Sequence, residues 1–284
     1  MISNKIITFL FYILFLFLQP SCCIKHDDWV STYDLYDKFL PNDPNPLLKK
    51  MVTKKDGNLK FTVNSSMSIA DRENAIATTK EYIKQCLALI NEPEFEDSIH
   101  ITLVNDISDI RNLTGREDIS GEVVSDIDGG LMVVCIYGVK HNPLKHELMH
   151  VVSFIKWGIY SYPQWLNEGL ATFSDPDSWS CDGHTLEERY VYFLQTDKLL
   201  EESDLISFPD NLVEKTIAYN QSAYIVGYLY NNYGVEKLKT LWQSGTEQFE
   251  KIYGLSFEQI TTNISDELNK KYPVPIQFDL GNFL

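Results

Sequence analysis

Cysteine is scarce in this 284-residue chain, and so is positive charge. The five cysteines form no C-x-x-C pair, so nothing supports a closed structural metal site built from cysteine ligands. Apart from Cys22 and Cys23, the cysteines are Cys86, Cys135 and Cys181. These three thiols permit at most one disulfide, which excludes a scaffold held together by disulfides. The folded part must therefore be stabilised by a hydrophobic core.

Basic residues are outnumbered, because 24 Lys and Arg stand against 40 Asp and Glu and give a formal net charge of −16. This charge argues against a nucleic acid partner and against binding to anionic membrane surfaces. It favours neutral or basic peptide partners, although solubility alone also explains it. Internal repeats and low-complexity stretches are absent, and the length suits a single domain of two lobes.

One long apolar run occurs near the start, from Ile6 to Leu18, directly after Lys5. A basic residue followed by an apolar run too short to span a bilayer comfortably is typical of a signal peptide, here residues 1–22. Cys22 resembles the lipidated cysteine of bacterial lipoproteins, although Gln19 stands where such signals usually have an aliphatic residue. We therefore predict an exported protein of the bacterial cell envelope, anchored to the membrane by a lipid at Cys22 or otherwise secreted.

The pattern of apolar residues predicts one folded domain of the α+β class over residues 58–284. Residues 23–57 are polar and contain several prolines, which predicts a tether or an extended segment. A small mixed sheet at about 58–140 is expected to precede a mainly helical lobe at about 141–284. The predicted strands are Leu59–Val63, Ile99–Val104 and Leu131–Tyr137, and the predicted helices are Ile69–Ile90, Leu186–Leu200, Ile217–Tyr233, Val235–Trp242 and Phe257–Lys270.

The most informative segment is H-E-L-M-H at residues 146–150. Residues four apart project from one face of a helix, so His146 and His150 can both bind a single ion, with Glu147 beside it as a general base. Glu168 supplies a third ligand on a second short helical pattern. Two His and one Glu leave the fourth tetrahedral position for water, which is the arrangement of a catalytic zinc site. The plainer alternative is a pair of core histidines with a solvated glutamate between them.

Local signals frame a helix around this motif. Asn142 is a good N-cap, Pro143 a good first helical residue, and Gly158 a good left-handed stop. An apolar stripe at helical spacing is expected to be buried beneath the histidines. Its members are Leu144, Leu148, Val151 and Ile155.

Two further segments carry a resemblance to a known group of enzymes. The run W-L-N-E-G-L-A at Trp165–Ala171 resembles the second motif of gluzincin metallopeptidases, the clan that contains thermolysin and the aminopeptidase N family. Tyr219–Ala223 resembles the Tyr-Glu-Lys-Gly-Ala helix of the aminopeptidase N family. The resemblance implies a thermolysin-like catalytic domain with one zinc ion in the cleft between the two lobes. It also implies that Tyr219, or Tyr224 as the fallback, donates a hydrogen bond to the transition-state oxyanion.

The implied chemistry is peptide hydrolysis. Zinc lowers the pKa of its bound water to about 7 and polarises the scissile carbonyl. Glu147 is then expected to take the proton of that water and return it to the leaving amine. A non-catalytic cell-surface binding or assembly protein on a peptidase fold is the alternative, although an intact set of ligands and base weighs against it.

One departure from the aminopeptidase N pattern bears on the substrate. That family carries a Gly-Ala-Met-Glu-Asn stretch whose Glu holds the free N-terminus of the substrate, whereas the corresponding residues 128–134 here contain no Glu. The run Leu131–Tyr137 is still predicted to be an edge strand on which a peptide can be laid. We therefore expect cleavage inside a chain in preference to trimming from its end, unless Asp126 or Asp128 binds the amine.

Overall fold

The architecture is taken from a computed structural model of the chain. It describes residues 29–31, 47–94, 97–116, 119–125, 131–138, 142–158, 163–176 and 183–277. The predicted leader at 1–22, with Cys22 and Cys23, lies outside these residues, as do Asp126, Asp128 and Cys181. Among the described residues, no helix is long and apolar enough to cross a membrane.

The first half of the described chain forms a six-stranded mixed sheet. Its order is β1-β2-β3-β4-β6-β5, in which β3, β4 and β6 run parallel and the outer strands pair antiparallel. All of β4 is buried, so the centre of the sheet is covered on both faces. The strands are β1 (Val30–Ser31), β2 (Met51–Asp56), β3 (Leu59–Asn64), β4 (Ile99–Val104), β5 (Gly121–Ser125) and β6 (Leu131–Ile136).

The helices occupy mainly the second half of the chain, so the predicted α+β class and the order of its two parts are confirmed. Two predicted helices need correction: the one predicted to start at Ile217 starts at Leu212, after the N-cap Asn211, and the one predicted to end at Leu200 ends at Gln195, where Thr196 is the C-cap. The other predicted helices lie within a few residues of their observed bounds. The helices are α1 (Ile69–Leu89), α2 (Ile107–Thr114), α3 (Leu144–Trp157), α4 (Gln164–Ser174), α5 (Leu186–Gln195), α6 (Glu202–Ile206), α7 (Leu212–Tyr233), α8 (Val235–Ser244), α9 (Phe249–Tyr253) and α10 (Phe257–Lys271), with short 3-10 turns at Leu48–Lys50 and Thr246–Gln248.

Two predictions about this sheet need correction. Residues 51–56, which belong to the segment predicted to be a tether or an extended segment, form β2, and β2 pairs along its whole length with β3 through a two-residue turn in which Gly57 has φ +63°. Met51 and Thr53 in β2 are buried and alternate with the less buried Val52 and Lys54, which is the period of a half-buried strand. The predicted edge strand at Leu131–Tyr137 is internal, because β6 pairs with β4 on one side and β5 on the other. Among the described residues, the short strand β5 is therefore the edge on this side of the sheet, and β1 is the edge on the other.

One large core joins the sheet to the helices. Helices α1 and α3 pack together, and α3 contacts the sheet at β5 and β6. The other side of α3 contacts α4, which packs closely along α7. Glycine permits this approach, since a Cβ on Gly169 of α4 would lie 2.8 Å from the carbonyl oxygen of Ser222 on α7. Helix α3 therefore lies between the sheet and the helical part, and it carries the H-E-L-M-H motif to that junction.

Candidate metal centre

Helix α3 places the two motif histidines on one face, as their spacing predicts. The helix begins one residue later than expected, because Pro143 occupies the N-cap position and the side-chain oxygen of Asn142 accepts a hydrogen bond from the Leu144 N–H at 3.0 Å. The helix ends where predicted, at Gly158, although this residue has φ +94° and ψ 161° instead of the left-handed helical conformation. Both His146 and His150 are buried.

The side chains of His146, His150 and Glu168 converge on one point. The two Nε2 atoms lie 3.1 Å apart, and Glu168 Oε2 lies 3.2 Å from Nε2 of His146 and 3.3 Å from Nε2 of His150. Ligands bound at zinc distances on a tetrahedron are separated by about 3.3 Å. The three atoms therefore already have the spacing of three corners of a zinc tetrahedron, and the donor set fits that ion.

Neighbouring residues on α4 hold the imidazoles in the orientation that a metal needs. Oδ1 of Asn167 lies 2.8 Å from Nδ1 of His150. Oγ1 of Thr172 lies farther, 3.5 Å, from Nδ1 of His146. An acceptor at Nδ1 of His150 keeps the proton on that atom and leaves the Nε2 lone pair free for a metal. Thr172 supports His146 more weakly, because its contact is at the limit of a hydrogen bond.

The electrostatics of the three side chains favour a cation among them. Burial alone would lower the pKa of His150, but the negative charge of Glu168 and hydrogen bonds raise it to about 9. Burial alone would raise the pKa of Glu168, yet the two imidazoles hold it well below its usual range. A site that stabilises positive charge beside an ionised carboxylate stabilises a divalent cation for the same reason.

Glu147 lies on the same helix with its side chain toward the sheet. Burial raises the pKa of its carboxyl group, and His146 and His150 partly offset that effect. A carboxylate whose pKa is raised accepts a proton more readily near neutral pH, which is what a general base must do. Its neighbour on β5 is Gly121, where a Cβ would lie 3.0 Å from Glu147 Oε1.

The two candidate tyrosines have different surroundings. The ring of Tyr219 on α7 lies 6.2 Å from the ring of His146, and Phe208 packs against its other side at 5.1 Å. Burial and the charges of Glu168 and Glu147 hold the pKa of the Tyr219 phenol far above its usual range, so it remains a hydrogen-bond donor. The hydroxyl of Tyr224 instead donates to Glu187 at 3.4 Å.

Sequence reasoning selected the three converging residues but missed others around them. Asn167 lies inside the quoted W-L-N-E-G-L-A run, so its adjacency to Glu168 was a signal available from the sequence. Thr172 follows Glu168 by four residues, one helical turn on. Gly121 gave no signal, since its contact with Glu147 depends on strand pairing. Cys86 and Cys135 are free and buried.

Similarity to known proteins is found among solved structures. No family model matches the sequence, and no curated protein matches it. The fold is similar to the crystal structure of an aminopeptidase N family protein from Idiomarina loihiensis, with a TM-score of 0.37 and 13% sequence identity. The similarity covers 81% of this chain and 47% of that one. The chain thus spans about half the length of that protein.

Proposed function

We propose that this chain is a zinc-dependent peptidase. The convergence of His146, His150 and Glu168 on one point, with Glu147 adjacent, is the observation that carries the proposal. Two imidazoles and one carboxylate suit zinc and leave a coordination position open. When they are unprotonated, the two Nε2 atoms and the carboxylate oxygen are all acceptors and cannot form hydrogen bonds with one another. This arrangement suits a metal ion better than a purely structural role.

Zinc at this centre would lower the pKa of a coordinated water to about 7 and polarise a bound carbonyl. The protein supplies the proton transfers. Glu147 accepts the proton of the attacking water on its carboxylate and passes it to the nitrogen of the leaving amine. The phenol of Tyr219 donates a hydrogen bond to the oxyanion that develops on the carbonyl oxygen, a contribution of about 3 kcal/mol for a single donor.

The edge strand supports a polypeptide substrate cleaved internally. Strand β5 is the outermost strand among the described residues, and its first residue contacts Glu147. A peptide paired with β5 would therefore pass beside the base. The only carboxylate of β5, Glu122, faces away from α3, because it pairs with Val134, which belongs to the smaller core on the other face of the sheet. It accepts instead from Arg116 at 3.0 Å. No amine anchor on β5 thus points toward the metal ligands.

The predicted leader adds a location to this proposal, and the net charge adds a substrate preference. A lipid on Cys22 would hold the enzyme at the surface of a bacterial cell, and cleavage of the leader elsewhere would release it. The net charge of −16 gives a mild preference for neutral or basic peptides.

The test is cleavage of a mixed peptide set, with products read by mass spectrometry and zinc content measured on the same samples. We expect internal cuts that disappear when zinc is chelated and return when zinc is added. Glu147→Gln should retain zinc and lose about 10²–10⁴-fold in rate. Glu73→Gln is the matched control, because Glu73 contacts Lys54 and Trp29 far from the ligands. A chain that neither binds zinc nor cleaves any peptide would support the binding-protein alternative instead.

A further inference from the structure

The side chain of Glu147, the candidate base, lies next to Gly121 of the edge strand β5. A Cβ built on Gly121 would lie 2.9 Å from Cγ of Glu147, 3.0 Å from its Oε1 and 2.9 Å from Cγ of Pro143. The pairing explains the contact, because Gly121 lies opposite Cys135, whose side chain belongs to the same core as α3. The Glu147 side chain thus occupies the space in which any other residue at position 121 would place its Cβ.

This proximity matters because no hydrogen bond from the described residues fixes the carboxylate. Among the described residues, no donor contacts the carboxylate oxygens of Glu147. A base that receives and returns a proton needs its oxygens free of competing donors. Its position must then depend on packing, and Gly121 leaves open the space that the Glu147 side chain occupies.

We propose that Gly121 is a positioning residue for Glu147. The inference rests on the proposed peptidase function and adds a residue that the metal centre alone does not identify. Glycine is required at position 121 because the carboxylate occupies the space that a β-carbon would fill. The three atoms nearest to a Cβ at Gly121 belong to Glu147 and Pro143 and to none of the three metal ligands, so the base is the functional group that the overlap reaches first.

The size of the effect follows from the distances. Ordinary contacts of a Cβ begin at 3.4 Å, so the 2.9 Å separation in Gly121→Ala must open by about 0.5 Å. Pro143 blocks the other side, so the carboxylate is the group that has to yield. Misplacement of a reacting group by about 1 Å costs about 10²-fold in rate. We expect kcat of Gly121→Ala to fall by about 10–10²-fold, with KM and zinc affinity near those of the wild type.

The experiment compares Gly121→Ala with Gly227→Ala in the full zinc-loaded chain. Gly227 is the matched control, because a Cβ there would lie 2.8 Å from the ring of Phe173, a similar overlap that does not involve Glu147. Both variants should lose some thermal stability. Only Gly121→Ala should lose kcat at constant KM, and the visible spectrum of its cobalt-substituted form should match that of the wild type.

Rescue and crystallography separate positioning from a general loss of structure. Gly121→Ala/Pro143→Ala removes the ring that traps the new methyl group, so it should recover part of kcat. Crystal structures should show the Glu147 carboxylate displaced in Gly121→Ala and restored in the double variant.

Wild-type kcat in Gly121→Ala, or a displaced β5 with Glu147 unmoved, would overturn the inference. A wild-type crystal structure in which a protein donor forms a hydrogen bond with the Glu147 carboxylate would also overturn it. This last test does not depend on the folding of any variant. A wild-type protein without zinc-dependent cleavage would refute the proposed function instead.

Discussion

The hydrogen bond between Asn167 and His150 gives the sharpest prediction about metal affinity. At 2.8 Å it is short, and the His150 side chain is only 7% exposed. In Asn167→Ala the Nδ1–H of His150 loses its acceptor in a buried setting, which costs about 1–3 kcal/mol. Loss of such an orienting partner typically weakens metal binding by about 10–100-fold, or about 1.4–2.8 kcal/mol. The two magnitudes agree.

The contact from Thr172 to His146 provides an internal comparison. At 3.5 Å it is at the limit of a hydrogen bond. Thr172→Val, which keeps the shape of the side chain, should therefore weaken zinc binding by less than Asn167→Ala. Asn167→Asp keeps an acceptor at the same place and should bind zinc at least as tightly as the wild type.

The assay is competition for zinc against a chelator of known affinity, at one pH, for all variants. Asn232→Ala is the control, since this exposed asparagine donates only to the Tyr228 carbonyl of its own helix in the described structure. An unchanged zinc affinity in Asn167→Ala, or a larger loss in Thr172→Val, would refute the assignment of Asn167 as the main orienting residue.

Three further predictions concern the oxyanion donor, the packing of α4 and the response to pH. Tyr219→Phe should lower kcat by about 10²–10³-fold, while Tyr224→Phe should leave it within about twofold; equal losses in the two steady-state assays would contradict the assignment. Gly169→Ala should lower the free energy of unfolding by about 1–3 kcal/mol, measured by denaturant titration, because its Cβ meets backbone of α7 at 2.8 Å; an unchanged midpoint would count against that packing. Burial alone would raise the pKa of Glu187, but Lys271 and neighbouring hydroxyls hold it below 4.5. A lowered folded-state pKa stabilises the protein above 4.5 and loses that contribution as pH falls, so Glu187→Gln should reduce the acid sensitivity of unfolding; identical pH profiles would argue against this.

Local sequence signals account for much of the centre and of the helical half. The i, i+4 spacing of His146 and His150 requires only that their segment be helical, and the flanking Pro143 and Gly158 mark its ends within one residue. Glu168 was a less certain assignment than the histidines, because no local rule brings a residue so far along the chain to the same point. The structure brings its carboxylate to both imidazoles.

The sheet edges were less accessible to prediction, for a physical reason. Strand β5 begins with Gly121 and carries Glu122, so its apolar alternation is too weak to identify it as a strand. Strand β2 is rich in lysine and follows several prolines, so it resembles a linker until β3 pairs with it. Which strand is the edge depends on long-range pairing, and the contact of Gly121 with Glu147 depends on it in turn.

The most direct test of the central claim is anomalous diffraction at the zinc absorption edge from crystals of the purified chain. We predict one strong peak, bound by Nε2 of His146, Nε2 of His150 and a carboxylate oxygen of Glu168, and its loss in crystals of Glu168→Ala. A zinc-soaked crystal with no peak there, or a peak that persists unchanged in Glu168→Ala, would contradict the account.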